Sequence, residues 1–284
     1  MIVPNSFLNV PIVLYQILKI MKLLYTILFS FTLCTYAYAQ ESEPNLPAKV
    51  KHAEPLYLDL MRDLGARKGE AEFNVGYGRG RYKNRSEHTS FIEYEWAAAN
   101  RLGLEIEIPV LFAKDNFQHH TNRVEGIKLG TQYTFLVDEK HQTSLAIGYL
   151  HEMEFGKSAP DVRNTPLFGG FISSPFFIAA KRFNQISTLV YTGPEFEYNF
   201  KERDMNTNFA LNASVHYMVP NSSNYLGIEN DIRYAEGSWE YIMRPQVKLS
   251  LAHNFAVGLV CGLPIKSEEF QMDFLTRLIW EPNF

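Results

Sequence analysis

Hydrophobic and polar residues alternate with a period of two through most of the chain after residue 70. Such a period places alternate residues on opposite faces of a β-strand. The clearest run ends the sequence. There the apolar residues share one parity and charged residues share the other: Phe270, Phe274, Leu278 and Trp280 against Asp273 and Arg277. The predicted strands lie near residues 71–78, 92–98, 102–110, 127–135, 143–155, 175–183, 186–200, 208–217, 225–234, 239–251, 255–264 and 270–284. The pattern therefore predicts an all-β fold of about twelve antiparallel strands over residues 70–284.

The apolar parity is aromatic near the strand ends, which favours a membrane barrel over a soluble sandwich. A sandwich hides its apolar face, so that face should be mostly aliphatic. Tyr and Trp instead favour a membrane interface, because one end of each ring is apolar and the other is wet. These aromatic residues are Tyr94, Trp96, Tyr133, Phe135, Tyr217, Trp239, Tyr241 and Trp280. We therefore predict a transmembrane, up-and-down antiparallel β-barrel.

The predicted connections alternate in length. Those at 100–101, 137–142, 184–185, 220–224 and 252–254 are short, and those at 79–88, 113–123, 156–174, 201–207, 235–238 and 265–269 are mostly longer and more charged. In bacterial barrels the short turns face the periplasm and the long loops face outward. This order predicts that both chain ends of the barrel lie on the periplasmic side.

The first 39 residues have the organisation of a secretory signal peptide. Lys22 precedes an apolar run over residues 23–34, and Ala37-Tyr38-Ala39 forms an A-x-A site, so we predict cleavage after Ala39. Residues 1–20 have the character of an over-extended start, with Met21 as the more natural initiator. The alternative is an uncleaved membrane helix, because residues 12–39 are long and apolar enough to span a bilayer.

Composition excludes several classes of protein. Loss of Lys19 and Lys22 with the signal peptide would take the net charge from −4 to −6, and an acidic chain without basic clusters argues against nucleic acid. A mean hydropathy of −0.17 excludes a helical membrane bundle but not a barrel, in which only alternate residues face lipid. Cys261 alone would remain, so no intrachain disulfide is expected. We identified no motif for a metal or a cofactor.

Two stretches resemble known families. The final strand ends at Phe284 and resembles the terminal strand of bacterial outer-membrane barrels, which implies recognition of that aromatic residue by the barrel-assembly machinery. The block from His52 to Glu70 resembles the start of an uncharacterised family of predicted outer-membrane barrels that opens with HAEPL…DL…RDLGARKGE. The resemblance implies a fold and a location in contact with outer-membrane lipid, and no activity.

Residues 40–69 are predicted to form a periplasmic leader. Residues 40–51 are polar and carry two prolines, which favours a flexible segment. Leu56, Leu60 and Leu64 lie four residues apart before Gly65, a spacing that predicts a short amphipathic helix. Residues 52–69 are a candidate docking segment for a periplasmic partner.

If the apolar parity faces lipid, the opposite parity lines the lumen. The predicted lumen-lining residues are Glu93, Glu95, Glu105, Glu107, Glu195, Glu197, Glu229, Asp231, Arg233, Arg244, Lys248, Asp273 and Arg277. Acidic residues outnumber basic ones on this face. The charges either pair as an internal network or line a wet channel. We interpret the chain first as a channel for small polar or cationic solutes, and second as a closed structural barrel.

An outer-membrane hydrolase is the third interpretation. Candidate fragments include His88-Thr89-Ser90, His119-His120, His151 and the Ser214/His216 pair, but no Gly-x-Ser-x-Gly motif occurs. The prediction is therefore not an enzyme. Within the predicted loop 156–174, residues 167–172 are apolar and glycine-rich. Such a segment could fold into the barrel mouth and narrow it, or it could contact lipid or a partner.

Overall fold

The computed structural model describes residues 46–58, 60–115, 120–156 and 167–282. The signal peptide predicted over residues 1–39 and the predicted assembly residue Phe284 lie outside these ranges. From residue 47 onward the chain forms one compact unit. Among the described residues, no helix has the length and apolar character needed to cross a membrane.

The described ranges form thirteen antiparallel strands in one closed sheet. They are β1 (Ala71–Tyr82), β2 (Arg85–Ala99), β3 (Leu102–Asp115), β4 (His120–Val124), β5 (Gly126–Asp138), β6 (Thr143–Phe155), β7 (Phe168–Phe183), β8 (Ile186–Asn199), β9 (Asp204–Met218), β10 (Tyr225–Ala235), β11 (Ser238–Ala252), β12 (Phe255–Lys266) and β13 (Phe270–Trp280). Consecutive strands pair with each other, except that β4 does not pair with β5, and β1 pairs with β13 to close the ring. Strands β4 and β5 pair with consecutive parts of β3 and are separated by Glu125 alone. They act as one strand, so the barrel is twelve-stranded and the predicted fold is confirmed.

The two rims of the barrel differ. We call the rim where β1 begins and β13 ends the terminal rim, and the opposite one the loop rim. The predicted contrast in connection length is weaker than expected, because the strands run further toward the loop rim than their alternation suggested. The connection predicted over 79–88 is reduced to Lys83-Asn84, and the one predicted over 201–207 is reduced to residues 200–203.

The outward face of the barrel is apolar. Phe73, Val75 and Tyr77 are exposed on β1, whereas Glu72 and Asn74 point inward and are buried. Near the terminal rim, Phe73 stacks on Trp280 at a centroid distance of 5.8 Å. Such an exposed apolar and aromatic surface is unfavourable in water and typical of a wall that faces lipid.

Phe270 departs from the predicted parity. The ladder between β1 and β13 shifts register between Arg81 and Tyr82, and this irregularity brings Phe270 opposite Tyr82. Phe270 is therefore buried and makes an edge contact with the Tyr82 ring. The period-two pattern predicted an outward side chain here, and a bulge, which alternation does not reveal, makes that assignment wrong.

The apolar stretch 167–172 does not narrow the barrel mouth. Its residues from Phe168 onward begin β7, and Phe171 pairs with Met153 of β6 and Tyr198 of β8. The Phe171 ring stacks on Tyr198 at 5.5 Å. The prediction of an inserted loop over 167–172 was wrong, since these residues are part of the wall.

The predicted helix over residues 56–64 is also absent. The described residues 47–58 and 60–69 contain no helix, and many of them are buried, including Ala53, Leu56, Leu60, Met61 and Leu64. Arg62 lies inside the predicted helix and has a φ of 113°, which a right-handed helix cannot accommodate. The three leucines instead contact inward-facing residues of the barrel.

Candidate functional site in the barrel lumen

Residues 47–58 and 60–69 lie inside the barrel, and we call this segment the plug. The plug contacts inward-facing residues of all twelve strands of the wall, with β4 and β5 counted as one strand. The wall residues concerned are Glu72, Glu95, Gly103, Thr134, Ser144, Phe176, Ser187, Met218, Glu229, Gln246, Gly258 and Ile279. A segment that contacts every strand of the barrel on its inner face must occupy the lumen. This places the segment predicted as a periplasmic leader inside the barrel.

The plug enters and leaves at the terminal rim. On the way in, the Ala53 N–H donates to Ser187 Oγ at 3.0 Å, and His52 Nε2 lies 3.0 Å from Ser144 Oγ. On the way out, the Gly65 N–H donates to Thr134 Oγ1 at 3.1 Å, and the Gly69 N–H donates to the Ala97 carbonyl at 3.0 Å. The plug is therefore a loop held mainly by wall side chains rather than by a ladder of backbone bonds.

The tip of the plug is held by a charged cluster on β10 and β11. The fully buried Glu229 carboxylate accepts the N–H groups of Tyr57 and Leu58, at 3.2 and 2.7 Å. The Arg244 guanidinium lies over the Tyr57 ring, 3.3 Å from its centroid. A buried carboxylate needs such donors, because a charge without partners in the interior is strongly unfavourable.

Met61 sits in a hollow formed by two glycines of the wall. A β-carbon at Gly103 would overlap the Met61 carbonyl oxygen, and one at Gly130 would overlap the Met61 side chain. Leu60, Met61 and Leu64 pack on an apolar area of the inner wall, which consists of Ala146, Phe176, Ile178, Ala180, Leu189 and Tyr191. The lumen is thus apolar along β6 to β8, and the prediction of an acidic lumen holds for only part of its circumference.

Arg62 carries the charge of the plug to the acidic side of the lumen. Its guanidinium lies 2.8 Å from Glu72 and 3.7 Å from Glu95, and all three side chains are buried. The Arg62 carbonyl accepts a bond from Gln132 Nε2 at 2.8 Å. Its φ of 113° is a conformation that residues other than glycine rarely adopt. The ion pairs therefore hold a strained backbone in place.

The two limbs of the plug meet at a carboxyl pair, Glu54 and Asp63. Burial raises the pKa of Glu54 well above its usual range, and the neighbouring Asp63, which hydrogen-bonds to it, raises it further. Burial also acts to raise the pKa of Asp63, but the charges of Arg62 and Lys49 outweigh it and hold that pKa well below normal. Lys49 Nζ lies 2.7 Å from Asp63 and 2.6 Å from Glu70. Glu54 thus holds its proton more strongly than Asp63 does, and the hydrogen bond between them joins the two limbs of the plug.

The structure brings most of the predicted lumen residues into ion pairs or hydrogen bonds. Arg277 contacts Glu93 at 2.6 Å across the closing seam, and Arg244 contacts Asp273 at 2.7 Å as well as Asp231. Lys128 contacts Glu107 at 2.9 Å, and nearer the loop rim Arg233 contacts Glu195 at 2.9 Å. Lys248 lies 3.9 Å from Glu281, while Glu105 is buried and Glu197 is partly exposed. The charged walls therefore pair with each other.

Glu93, Glu105 and Glu107 bring carboxylate oxygens within 4.8 Å of one another. Carboxylates at this spacing are suited in type to a hard cation. However, Glu93 already faces Arg277 and Glu107 already faces Lys128. The group is accounted for as part of the ion-pair network.

Little space remains between the plug and the wall near the terminal rim. A cavity of about 20 Å³, enough for about one water molecule, lies between Glu54, Leu56 and Leu60 of the plug and Glu72, Glu95 and Lys248 of the wall. Tyr57 at the plug tip is 42% exposed, toward the loop-rim half of the lumen. The described plug residues thus fill the part of the lumen next to the terminal rim.

Sequence patterning did not identify Arg62 and Glu72 as partners. The alternation placed Glu72 on the inner face, but the plug has no period that locates Arg62 there. One signal was available: inward acidic residues outnumber inward cations, and buried carboxylates require compensation. That imbalance implies a cation from outside the strands, and the plug supplies it.

A polar cluster lies on the outer, lipid-facing wall. His151 Nδ1 lies 3.0 Å from Ser173 Oγ, and the Tyr149 hydroxyl donates to Ser173 Oγ at 2.9 Å. A shallow groove of about 440 Å³ beside them is lined by Leu129, Gly130, Thr131, Tyr149 and His151. Of the other histidines considered from sequence, His88 contacts the Tyr77 hydroxyl at 2.6 Å and His216 is fully buried beside Tyr225. His119 lies outside the described residues.

Comparison with solved structures shows that the fold is that of bacterial outer-membrane channels. An outer membrane channel from Pseudomonas putida F1 is similar with a TM-score of 0.64 and 10% identity, over 81% of this chain and 100% of that one. The NanC porin is similar with a TM-score of 0.53 and 9% identity, over 75% and 100%. The KdgM porin in complex with disordered oligogalacturonate gives 0.52 and 12%, over 74% and 99%.

Family comparison places the chain more directly than these distant structures do. No curated protein matches the sequence. A family model, in contrast, matches residues 48–281, a span that begins with the plug and includes nearly the whole barrel. The chain belongs to the HAEPLYID-like family.

Proposed function

We propose that this protein is an outer-membrane channel for small polar or cationic solutes and that its plug is the gate. The observation that carries the proposal is the construction of the lumen. Charged residues line the lumen wall from Glu72 near the terminal rim to Glu195 near the loop rim. Near the terminal rim, the non-helical plug fills the lumen. A loop bound mainly through side chains can leave without breaking the strand ladders that hold the barrel together.

The same proposal includes the location of the protein. The apolar outer wall contacts outer-membrane lipid of a Gram-negative bacterium, a signal peptide cleaved after Ala39 directs export, and Phe284 is the signal read by the barrel-assembly machinery. The terminal rim faces the periplasm. This orientation follows the general rule for bacterial barrels, and the likeness in fold to outer-membrane channels supports it.

A disulfide between the plug and the wall tests the gate. The 3.0 Å bond from the Ala53 N–H to Ser187 Oγ places the two Cα atoms within about 7 Å, near the upper limit for a disulfide. Ala53→Cys/Ser187→Cys would be made in a Cys261→Ser background, with each single cysteine variant as control. We expect potassium current across planar bilayers only after reduction, and no effect of reductant on the single variants.

Current of equal size in the oxidised and reduced double variant would exclude the plug as gate. Absence of current in the reduced protein, at any voltage and also in variants that expel the plug, would favour the closed structural barrel. In that case residues 52–69 would have to leave the lumen before they could bind a periplasmic partner, because most of them are buried there.

One observation favours a second candidate function, acyl hydrolysis at the lipid face. Ser173 and His151 are in hydrogen-bond contact on the outer wall, as a nucleophile and its base would be. The contacts of His151 run to hydroxyl groups and the Phe171 ring, whereas triads add an acid. Release of fatty acid from phospholipid vesicles that is lost in Ser173→Ala, and retained in the lumen variant Ser174→Ala, would establish the hydrolase. Equal release by all three proteins would exclude it.

A further inference from the structure

We propose that the plug occupies a binding site in the lumen for cationic amphipathic solutes and that residues 60–64 are a tethered mimic of such a solute. The inference rests on the proposed channel function, because the site becomes vacant only when the plug withdraws. It narrows the solute class from small polar or cationic molecules to those with a cationic head beside an apolar chain.

The head-group part of the site is acidic and buried. Glu72 and Glu95 are 6% and 4% exposed, and the guanidinium of Arg62 lies between them. Removal of Arg62 leaves two adjacent carboxylates in a confined space, where an unpaired charge is costly. A planar guanidinium or an ammonium group from a solute would replace the lost cation.

The chain part of the site is apolar and directly adjacent. The unbranched side chain of Met61 lies against Gly130, while its backbone carbonyl lies against Gly103. Met61 packs with Leu60 and Leu64 on the inner face of β6 to β8. When the plug withdraws, Phe176, Ile178 and Leu189 become exposed to water. A solute that removes this apolar wall from water gains a binding free energy of roughly 25 cal/mol per Å² of apolar surface buried. A linear alkyl chain has the shape of the Met61 side chain that it would replace.

The adjacency of the two parts determines the class of solute. Met61 and Arg62 are consecutive residues, so the acidic and apolar parts lie one residue apart along the plug. An anionic amphiphile would be repelled by Glu72 and Glu95, and a simple cation would leave the apolar wall uncovered. Only a molecule that carries both features satisfies both parts.

The plug and the solute compete for one site, so solute affinity depends on plug position. The apparent dissociation constant equals the intrinsic constant divided by the fraction of molecules with the plug withdrawn. A plug that is covalently held should therefore abolish solute binding. A plug that is weakened should strengthen binding by the factor by which the withdrawn fraction rises.

Calorimetry with n-octylguanidinium in a neutral detergent tests the proposal. The oxidised Ala53→Cys/Ser187→Cys protein serves as the reference for partition into the micelle, and octyl sulfate serves as the anionic control. We expect the reduced protein to bind octylguanidinium at least about tenfold more tightly than the oxidised protein does. Octyl sulfate should not distinguish the two states.

Variants of the acidic part provide a second readout. Glu72→Gln/Glu95→Gln also loosens the plug, which affects both amphiphiles equally, so the readout is the ratio of their binding constants. The preference for octylguanidinium over octyl sulfate should fall by on the order of tenfold in this variant. Glu87→Gln, which alters a carboxylate paired with Arg85 near the loop rim, should retain that preference. If the double variant fails to fold, the comparison of the two head-group charges on the reduced protein still decides. Equal binding of both amphiphiles, or undiminished binding by the oxidised protein, would overturn the proposal.

Current and binding are measured separately, so the two proposals can fail independently. Potassium current without selective octylguanidinium binding would leave the channel in place and reject the site. Selective binding without current would support the site in a barrel that does not conduct.

Discussion

Gly103 of the barrel wall lies against the Met61 carbonyl oxygen of the plug, with no room between them for a β-carbon. Gly103 lies within β3, and its φ is not positive, so its importance does not come from the backbone conformation. The close approach of the plug backbone is the reason that only glycine fits. This contact lets the plug be disturbed by a change in the wall alone.

Gly103→Ala should therefore open the channel. Alanine is compatible with a strand, and its methyl group would overlap the Met61 carbonyl, so the plug has to shift or withdraw. We expect a higher open fraction in planar bilayers than in the wild type. Gly80→Ala is the matched control, because its methyl group would meet the movable Tyr82 ring instead of the plug. Equal currents from the two variants would contradict the proposed fit.

Arg62→Gln should release the plug through loss of charge. The change leaves Glu72 and Glu95 without their guanidinium partner, and breaking a buried pair in this way costs about 3–5 kcal/mol. The plug can avoid part of that cost by withdrawing and letting water reach the carboxylates. We expect more current and stronger cation selectivity, measured from reversal potentials in a salt gradient. Arg203→Gln, in the 200–203 turn at the loop rim, should change neither quantity.

The sequence predicted the barrel well because a membrane wall imposes one rule on every strand. The alternation of Phe73 with Glu72 and of Trp280 with Arg277 follows from lipid on one side and a polar lumen on the other. Phe270 broke the rule at a bulge. The plug was mispredicted for a different reason: Leu56, Leu60 and Leu64 have helical spacing, but they contact three-dimensional neighbours far away in sequence. Periodicity carries no information about such contacts.

The pH dependence of gating should have an acidic arm governed by His52. Burial, aided by the charge of Arg182, lowers the pKa of His52 from 6.5 to about 4, with Asp63 acting in the opposite direction. Between these two pH values the withdrawn plug binds more protons than the inserted plug. Acidification across this window therefore favours withdrawal, by at most about 1.4 kcal/mol per pH unit. His52→Gln should remove this rise in current, whereas His141→Gln at the exposed turn should retain it.

Glu54 should make the open fraction of the channel rise as the pH increases, which is opposite to the effect of His52. Its pKa is raised above 4.5 by burial and by Asp63, and the charges of Lys248 and Arg62 only partly offset this. Above pH 4.5 the inserted plug retains a proton that the withdrawn plug loses. Alkalinisation toward the raised pKa therefore favours withdrawal, and below about 6.5 it opposes the His52 arm. In Glu54→Gln the alkaline rise in current should disappear. A wild-type open fraction that does not change with pH would contradict both arms.

Pro175 and Pro194 face each other across β7 and β8 and interrupt the wall. The β7–β8 ladder is interrupted between the pairs Ser173↔Phe196 and Phe177↔Thr192. The register is the same on both sides of the gap, so Pro175 and Pro194 lie opposite one another within it. The ladders to β6 and β9 continue at both residues, so the missing N–H groups fall in this one seam.

Restoration of these two donors should strengthen the barrel. Pro175→Val/Pro194→Val adds two N–H groups at a position where each new bond is worth about 1 kcal/mol. We expect the free energy of unfolding in urea to rise by roughly 1–2 kcal/mol, with faster hydrogen exchange at Ser174 and Phe176 in the wild type than in the variant. Pro109→Val is the control, because Pro109 faces Phe91 rather than a second proline. A gain as large in Pro109→Val would show that the facing prolines are not a special weakness.

Both prolines lie on the lipid-facing parity, so Pro175→Val/Pro194→Val leaves the plug contacts unchanged. The gating of this variant should therefore match that of the wild type.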